Sequence, residues 1–438
     1  MEIVVIGTGY VGLVTGVSLS EIGHQVTCID TSIEKITKLK KSISPIYEPG
    51  IEELIEKNVA ANRLFFGTDL QAAMKNKKIV YLTVGTPQNP DGTANLVYLE
   101  AAAIDIAKSM VQDTIVVVKS TVPVGTNEKI KKLIEENTQF NVAMVSNPEF
   151  LREGSALVDV FEGDRIVLGA NDKKALETIA EVNNAFAIPI YKTNLESAEM
   201  IKYASNAFLA TKISFINEIA NICEKTGANI EQVSTGMGLD SRIGSKFLNA
   251  GIGYGGSCFP KDTAALSQIA GTVNHDFKLL KAVIEVNEKQ KLKLVDVLKT
   301  EVSHLQGKKI ALLGLAFKPE TDDIRESASQ VIIENLLAAG ANIHVYDPIA
   351  QAGIQAIFGD EIVYEKDIES TIIEAEAVLI ITEWDEIKAI KPAIFKKLMR
   401  QPIVLDGRLI YNKAEMSSLG IKYYSVGDGT NASYKTDY

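Results

Sequence analysis

Residues 2–12 read EIVVIGTGYVG, a short β-prone run followed at once by a GxGxxG turn. In this pattern the first glycine makes a tight turn, the second lets a pyrophosphate approach the backbone, and the third lets helix pack on strand. The predicted helix, from about Tyr10 to Ile22, presents free N–H groups and its positive dipole end at the turn. A second predicted strand, Gln25–Ile29, ends in Asp30. The stretch therefore predicts a β–α–β dinucleotide-binding unit.

The acid at the end of the second strand indicates which dinucleotide fits. Asp30 is placed to bind the adenosine ribose hydroxyls, and its charge repels a 2′-phosphate. NAD is therefore the predicted cofactor and is favoured over NADP. The predicted phosphate-binding residues are those of the turn and the first helical positions: Gly7, Gly9, Tyr10, Val11 and Gly12.

Two threonines follow further predicted strands of the same domain. Thr86 comes after Ile79–Val84, and Thr121 comes after Ile115–Lys119. Ligands of parallel sheets bind outside the carboxyl ends of the strands, which favours both threonines as cofactor or substrate contacts. Plain turn chemistry at the Thr–Pro and Val–Pro dipeptides explains the same residues equally well.

The alternation of strands and helices extends over most of the chain and predicts its fold class. Residues 195–226 lack Pro and Gly and carry apolar residues at helical spacing, which predicts one long helix. After Gly307 the α/β pattern returns. We predict two Rossmann-like, doubly wound parallel-sheet domains joined by a helical middle domain with a long central helix. The predicted bounds are 1–194, 195–302 and 303–425, with a flexible tail over 426–438.

Composition excludes several classes of protein. The 438 residues carry a net charge of −11, so the chain is a poor partner for nucleic acid or anionic membranes. Three widely spaced cysteines exclude a disulfide framework and fit a cytoplasmic protein. The apolar residues 3–22 are interrupted by glycines and follow no Lys or Arg, which favours a strand and helix over a targeting or membrane segment. Metal-binding motifs are missing from the sequence, so we predict no metal.

Residues 251–262 read GIGYGGSCFPKD and form the most informative loop. Four glycines in the first six residues allow unusual backbone angles and close approach of a ligand. Pro260 fits the first turn of a helix, which puts Cys258 directly before the helix N-terminus. That position, with Lys261 one turn on, favours the thiolate. Cys28 and Cys223, in a strand and a helix, are interpreted as packing residues.

A thiol beside a nicotinamide site suggests a particular chemistry. Hydride removal from an alcohol gives an aldehyde, to which a thiolate adds as a thiohemiacetal. A second hydride transfer gives a thioester, and water releases an acid. The four histidines are scattered, so Lys202, Glu149 and Asp262 are the candidates for moving protons. Lys202 and Asn206 are four residues apart on the long helix and therefore share a face.

The motifs together resemble the UDP-glucose/GDP-mannose dehydrogenase family over about residues 1–425. The segments that carry the resemblance are residues 5–12 (VIGTGYVG), 147–154 (NPEFLREG), 202–206 (KYASN), 253–262 (GYGGSCFPKD) and 314–319 (GLAFKP). The resemblance implies two NAD-dependent oxidations of UDP-glucose at C6 to UDP-glucuronate, through Cys258. It also implies a homodimer formed through the long helix, and a second α/β domain that holds UDP.

The resemblance assigns a role to individual residues. Lys202, Asn206 and Asp262 assist at the reacting carbon, and Thr121 and Glu149 bind an ordered water. The implied NAD contacts are Asp30, Lys35, Thr86, Thr121, Glu153, Lys261 and Arg325. The implied sugar-nucleotide contacts are Glu149, Phe150, Leu151, Arg152, Glu153, Lys202, Asn206, Phe247, Leu248, Asn249, Ala250, Gly251, Gly255, Lys318 and Arg408, with Arg242 reaching the site of the partner subunit.

Three alternatives stay open at the level of sequence. The first is a sister enzyme that acts on GDP-mannose or a UDP-N-acetylhexosamine. The second is a non-catalytic NAD-binding regulator that kept the fold. The third is a β-hydroxyacid dehydrogenase, which shares the N-terminal domain and the long helix but needs neither the cysteine nor a second α/β domain.

Overall fold

The computed structural model describes residues 1–429, which form two compact units. The first unit consists of Met1–Ser205 and Ala264–His275, and the second of Asn206–Thr263 and the residues from Asp276 onward. Two of the three divisions fall inside helices and the third lies just before residue 278, so the middle region does not separate as a unit of its own. The predicted three-domain boundaries therefore stay a prediction.

The first unit contains an eight-stranded sheet in the order β3-β2-β1-β4-β5-β6-β7-β8. All neighbouring strands pair in parallel except β6 and β7, which are antiparallel. The strands are β1 (Glu2–Ile6), β2 (Gln25–Ile29), β3 (Leu64–Gly67), β4 (Ile79–Leu82), β5 (Thr114–Val118), β6 (Val142–Ser146), β7 (Ile166–Gly169) and β8 (Ile190–Thr193).

Helices cover this sheet, and a glycine or a short polar side chain caps many of them at the N-terminus. They are α1 (Tyr10–Glu21), α2 (Ile33–Leu39), α3 (Ile51–Ala60), α4 (Leu70–Met74), α5 (Val97–Ser109), α6 (Thr126–Glu135), α7 (Ala156–Phe161) and α8 (Lys173–Asn183), followed by a 3₁₀ turn, Asn184–Phe186. The sequence predicts β1 and β2 with these bounds. It does not predict β3 and β8, which are the two edge strands.

The middle of the chain is helical. Its helices are α9 (Leu195–Thr226), α10 (Ile230–Gly238), α11 (Phe259–Thr272), α12 (Lys278–Lys291) and α13 (Lys293–Glu301). The 32-residue α9 has the predicted bounds. The sequence also predicts a second long helix over His275–Val302, and this prediction is wrong, because the chain bends at Leu292 between α12 and α13. The bend lets Leu294 and Leu298 join the core of the second sheet.

The second sheet has the order β11-β10-β9-β12-β13-β14 and is parallel throughout. Its strands are β9 (Lys309–Leu313), β10 (Asn342–Tyr346), β11 (Val363–Tyr364), β12 (Ala377–Ile380), β13 (Ile403–Asp406) and β14 (Lys422–Ser425). This order repeats that of the first six strands of the chain. The predicted fold class, two doubly wound α/β domains with a long central helix, is confirmed.

Most of the helices that connect the strands of the second sheet are short, and the first of them is the longest. They are α14 (Ala328–Ala338), α15 (Gln351–Phe358), α16 (Ile368–Ile372), α17 (Asp385–Lys388), α18 (Pro392–Leu398) and α19 (Lys413–Ser418), with a 3₁₀ turn at Gly359–Glu361. Within residues 1–429, no helix is long and apolar enough to cross a membrane.

The last described residues are anchored where a flexible tail was predicted. Val426 is buried, and the Gly427 N–H donates to a Glu224 carboxylate oxygen at 2.9 Å. Asp428 pairs with Lys413 at 2.5 Å. The tail prediction is therefore wrong for residues 426–429, because these contacts hold the backbone. Residues 430–438 of the predicted tail lie outside the described residues.

Candidate active site

The glycine turn between β1 and α1 has the shape of a pyrophosphate cradle. Gly7 has φ +97°, which favours glycine, and a Cβ atom on Gly12 would lie 1.9 Å from the Gly7 carbonyl oxygen. A Cβ on Gly9 would meet nothing within 4 Å, so space is open above the turn. Gly9 caps α1 without a side chain, which leaves first-turn N–H groups available to an anion. The turn therefore fits the predicted dinucleotide.

Asp30 lies at the end of β2 and is held beside this turn. Its carboxylate accepts hydrogen bonds from the Thr8 N–H and hydroxyl, both at 2.8 Å, and from the Ser32 N–H at 2.9 Å. Burial raises the pKa of Asp30, but these hydrogen bonds and the nearby Lys35 charge outweigh burial and lower the pKa overall. Asp30 is thus a carboxylate at neutral pH, with Lys35 close to it.

Asp347 is the acid of the second sheet that corresponds to Asp30, and its carboxylate has different hydrogen-bond partners. Asp347 follows β10 and is 1 % exposed. One of its carboxylate oxygens accepts from the Leu315 N–H at 2.7 Å and from the Trp384 indole N–H at 3.0 Å. The other accepts from the Ile349 and Ala350 N–H groups. Because these bonds occupy Asp347 and its side chain is buried, Asp347 is not accessible to a ribose, whereas Asp30 is partly exposed.

Tyr10 joins the dinucleotide turn to the loop over residues 149–154. Its hydroxyl donates to Glu48 and accepts from the Gly154 N–H at 2.6 Å. Glu48, which is 6 % exposed, also accepts from the Leu157 N–H at 3.1 Å. Burial and the Glu48 carboxylate raise the pKa of Tyr10, and the charge of Glu153 adds to this increase. Sequence reasoning missed Glu48, because an acid 38 residues from Tyr10 gives no local signal.

The ends of β4 and β5 bring the two predicted threonines together. The Thr86 hydroxyl donates to the Thr121 carbonyl oxygen at 2.8 Å, and Thr86 is 7 % exposed. Both residues belong to the first unit; Thr86 follows β4, which is next to β1, and Thr121 follows β5, which is next to β4. This arrangement agrees with ligand contacts at the carboxyl ends of the strands.

Glu149 and Lys202 form a buried ion pair in the first unit. The Lys202 ammonium lies 3.0 Å from a Glu149 carboxylate oxygen, and the two side chains are 4 % and 6 % exposed. Burial raises the pKa of Glu149, but the Lys202 charge and the Leu151 N–H outweigh it and lower the pKa overall. The Phe150 ring lies 5.4 Å from the Lys202 ammonium. Glu149 is therefore an ionised carboxylate, and both side chains are shielded from water.

Arg152 is predicted to contact the sugar nucleotide, but its guanidinium binds within its own loop. It pairs with Asp159 at 2.5 Å, and its side chain is 63 % exposed. Arg242, the predicted contact to a partner subunit, pairs with Asp240 at 2.6 Å and is 87 % exposed. Both guanidinium groups are exposed and paired with a nearby aspartate, so the sugar-nucleotide contacts of Arg152 and Arg242 both stay predictions.

The cysteine loop lies in the second unit, and Cys258 directly precedes α11 as predicted. Its carbonyl accepts from the Asp262 N–H at 2.9 Å, and its sulfur lies 3.6 Å from the Ser257 hydroxyl. Asp262, 1 % exposed, accepts from the Asn206 side-chain amide at 2.6 Å and from Lys261 at 2.5 Å. The structure thus brings Asn206 of α9 together with Cys258, Lys261 and Asp262, which lie at the N-terminus of α11.

Three buried amides on helices hold the glycine loop. Asn287 accepts from the Tyr254 N–H at 2.8 Å and donates to the Tyr254 carbonyl at 3.0 Å. Gly251 donates to Asn217 at 2.8 Å and accepts from Gln290 at 2.7 Å. These amides were missed in the sequence, where the spacing of Asn287 and Gln290 on one helix face is the only available signal.

The glycine loop also contacts residues that lie between β9 and α14. The Gly256 N–H donates to the Arg325 carbonyl at 2.8 Å, and a Cβ on Gly255 would lie 3.2 Å from the Phe317 Cβ. A Cβ on Gly251 would lie 3.5 Å from an Arg408 guanidinium nitrogen. The Lys318 ammonium lies 5.9 Å from the Phe317 ring. Four predicted substrate residues therefore lie near Phe317 or near one another in the second unit: Gly251, Gly255, Lys318 and Arg408.

The segment before the glycine loop is divided between core and surface. Leu248 is 3 % exposed, and Ala250 packs against the core of the second sheet. Asn249 is exposed, and Phe247 has φ +65° with its ring 6.3 Å from that of Phe259. The two core residues can offer a substrate little beyond their backbone groups, whereas Phe247 and Asn249 have accessible side chains.

Comparison with known proteins gives a family for this arrangement. Residues 1–187 match the NAD binding domain of the UDP-glucose/GDP-mannose dehydrogenase family, 196–289 match its central domain, and 311–413 match its UDP binding domain. The chain belongs to this family. It is therefore an oxidoreductase whose first α/β domain binds NAD, which confirms the cofactor predicted from Asp30.

Relatives of this family cover nearly the whole chain. A UDP-glucose 6-dehydrogenase of Bacillus subtilis is 56 % identical over 429 residues, 98 % of each chain. A UDP-glucose 6-dehydrogenase of Rhizobium meliloti is 45 % identical and covers 98 % of this chain and 99 % of its own. The solved structure of a UDP-glucose dehydrogenase from Pyrobaculum islandicum has a TM-score of 0.92 at 37 % identity, with 97 % of both chains covered.

Proposed function

We propose that this dehydrogenase oxidises UDP-glucose to UDP-glucuronate in two NAD-dependent steps through Cys258. The observation that carries the proposal is the cysteine loop. Cys258 directly precedes α11 and lies one turn from the buried Asn206–Asp262 hydrogen bond. The names and full-length similarity of the Bacillus and Rhizobium relatives favour UDP-glucose over the other sugar nucleotides.

The first unit supplies the cofactor site in this proposal. The turn over Gly7–Gly12 and the N-terminus of α1 bind the pyrophosphate, and Asp30 binds the adenosine ribose hydroxyls. The further proposed contacts are Lys35, Thr86, Thr121 and Glu153 of the first unit, and Lys261 and Arg325 of the second. When bound, NAD supplies the acceptor for each hydride that leaves C6.

The chain's own groups carry the rest of the chemistry. When the C6 alcohol loses its first hydride, its one hydroxyl proton passes either to the Asp262 carboxylate, which Asn206 holds, or to Lys202 in its neutral form. The Cys258 thiolate adds to the resulting aldehyde and forms a thiohemiacetal. Loss of the second hydride leaves a thioester, which water held by Thr121 and Glu149 hydrolyses to the carboxylate and free thiol.

The proposed substrate contacts outside the reacting carbon lie in two places. Residues 149–153 and Lys202 belong to the first unit, and Asn206, Phe247–Gly251, Gly255, Lys318 and Arg408 belong to the second. The cations Lys318 and Arg408 suit a diphosphate. Arg408 is held for this role by its hydrogen bond to the Ile381 carbonyl at 2.7 Å.

The stoichiometry of NADH tests this function. Because alcohol to carboxylate is a four-electron oxidation, exhaustive reaction of limiting UDP-glucose should form two NADH per sugar. Absorbance at the NADH band and chromatography of the sugar nucleotide measure both products. GDP-mannose and UDP-N-acetylglucosamine serve as comparison substrates. One NADH per sugar with accumulating aldehyde contradicts the mechanism, and faster turnover of a comparison substrate contradicts the substrate assignment.

We also propose a homodimer formed through α9. Phe208, Phe215 and Ile222 lie seven residues apart on this helix and are 65 %, 49 % and 54 % exposed. Residues at this spacing share one face, and an exposed apolar stripe of this kind is typical of an interface. The exposed Arg242 fits the proposed contact to the partner's sugar nucleotide.

The proposed dimer predicts that the particle in solution has the molecular mass of two chains. The parent protein should be a dimer by light scattering at micromolar concentration. Phe215→Glu should give monomers, because it places a charge in the apolar stripe. The matched control is Tyr98→Glu, which changes an aromatic residue of α5 that is 60 % exposed. A monomeric parent, or a dimer unaffected by Phe215→Glu, refutes the interface.

The cytoplasm is the proposed compartment. Cys28, Cys223 and Cys258 are all free thiols in the structure. Free thiols fit a reducing environment, and the proposed mechanism requires Cys258 in that state.

A further inference from the structure

Asp406 is a buried acid at the end of β13 that the proposed chemistry does not use. Its side chain is 0 % exposed. One carboxylate oxygen accepts from the Arg408 N–H at 2.8 Å. The other accepts from the Ile410 N–H at 2.8 Å and from the Tyr423 hydroxyl at 2.7 Å. The carboxylate therefore holds the backbone of the loop after β13, residues 407–411, from inside the second unit.

The loop after β13 packs closely against the glycine loop. A Cβ on Gly407 would lie 2.8 Å from an Ile252 methyl carbon, and a Cβ on Gly251 would lie 2.9 Å from the Gly407 carbonyl oxygen. Leu409 has φ +56°, a conformation that persists only where surrounding contacts hold it. Because Asp406 binds the N–H groups of the residues on both sides of Leu409, it supplies such contacts.

The Arg408 guanidinium is directed by contacts of its own. Its Nε–H donates to the Ile381 carbonyl at 2.7 Å and lies 3.3 Å from a Glu383 carboxylate oxygen. Its Nη2 donates to the Phe317 carbonyl at 3.3 Å. Within residues 1–429, Nη1 makes no hydrogen bond, and it would lie 3.5 Å from a Cβ on Gly251. The side chain is 17 % exposed, so Arg408 presents Nη1 to a ligand beside the glycine loop.

We propose that Asp406 is a positioning residue that sets the affinity for the sugar nucleotide by holding Arg408 at the diphosphate. This inference rests on the proposed function, in which Arg408 contacts the diphosphate. A planar guanidinium binds a phosphate through N–H groups in a fixed geometry, so its affinity depends on where the side chain begins. Asp406 fixes that point through the Arg408 N–H. Loss of Asp406 should therefore weaken substrate binding and leave the chemistry at Cys258 intact.

Asp406→Asn tests this role because it keeps the volume and removes one acceptor oxygen. When the amide oxygen faces Ile410 and Tyr423, the NH₂ group faces the Arg408 N–H, which then has no acceptor. The Kd of UDP-glucose, measured by titration calorimetry, and its KM should rise about tenfold, the effect of weakening one hydrogen bond to a charged group. We expect kcat and the KM for NAD to stay within about twofold, as for a contact made equally in the ground and transition states.

Two further variants show whether Asp406 acts through Arg408. Tyr423→Phe is the matched control, since it removes a donor to the other oxygen of the same carboxylate. It should lower the free energy of unfolding, measured by denaturant titration, and leave the Kd of UDP-glucose nearly unchanged. Arg408→Met should raise this Kd by itself. Adding Asp406→Asn to Arg408→Met should raise it no further, because the two changes remove the same contact.

The outcomes separate this inference from the function on which it rests. Effects of Asp406→Asn and Arg408→Met that multiply in the double variant overturn the inference, as does an unchanged Kd in either single variant. A Tyr423→Phe variant that weakens binding as much as Asp406→Asn overturns it too, because the loss then follows stability. A parent enzyme that forms no NADH from UDP-glucose overturns the proposed function instead. If Asp406→Asn does not fold, Asp406→Ser takes its place, because serine also lacks the second acceptor oxygen and brings no NH₂ group.

Discussion

Cys258→Ala is expected to bind UDP-glucose and NAD yet form almost no UDP-glucuronate. The second oxidation needs a tetrahedral carbon at C6, and the Cys258 sulfur is the proposed group that creates it. Loss of such a nucleophile should lower kcat for acid formation by on the order of 10³-fold or more. Reduction of added UDP-6-aldehyde by NADH to the alcohol should persist, because that direction avoids the sulfur. Chromatography of the sugar nucleotides measures both directions.

Two further variants sharpen this result. Cys258→Ser should accumulate a covalent adduct visible by mass spectrometry, because an ester releases its acyl group far more slowly than a thioester. Cys223→Ala is the control, since Cys223 is a buried thiol, 3 % exposed, that packs in the core of the second unit. Acid formation by Cys258→Ala near the parent rate would falsify the nucleophile assignment, and Asp262 acting on water would then be the next candidate.

The features that the sequence predicts are those encoded by near neighbours in the chain. The bounds of β1 and β2 follow from apolar runs that stop at Gly7 and Asp30. The long helix α9 follows from 32 residues without Pro or Gly. The position of Cys258 follows from Pro260, which fits a first turn. Each of these signals lies within a few residues of the feature that it predicts.

The features that the sequence does not predict depend on distant partners. β3 and β8 are short edge strands, and β8 is partly exposed, so their apolar pattern is weak. Glu48 reaches Tyr10 across 38 residues, and Asn287 reaches Tyr254 across 33. After the bend at Leu292, Leu294 and Leu298 pack in the core of the second sheet, whose strands come later in the sequence. Such contacts arise only when the sheet and helices are assembled.

The negative charge of Asp262 is expected to be essential for the reaction. Its two carboxylate oxygens accept from Asn206 at 2.6 Å and from Lys261 at 2.5 Å. Asp262→Asn keeps the volume but leaves one acceptor oxygen for two donors. We expect kcat to fall about 10²- to 10³-fold, as for the loss of a group that moves protons. The free energy of unfolding should fall by about 1–3 kcal/mol, because a buried donor loses its partner.

A double variant separates the charge from the hydrogen bond. In Asn206→Asp combined with Asp262→Asn, the amide at position 262 can donate to the new carboxylate and accept from Lys261. The free energy of unfolding should therefore recover, whereas kcat should stay low because the carboxylate then lies on α9 and no longer on α11, the helix that follows Cys258. Asp276→Asn is the control, since its pair with Lys281 is more than half exposed and should contribute less than about 1 kcal/mol. If kcat recovers together with stability in the double variant, Asp262 acts only through the hydrogen bond, and its proposed role in moving protons is wrong.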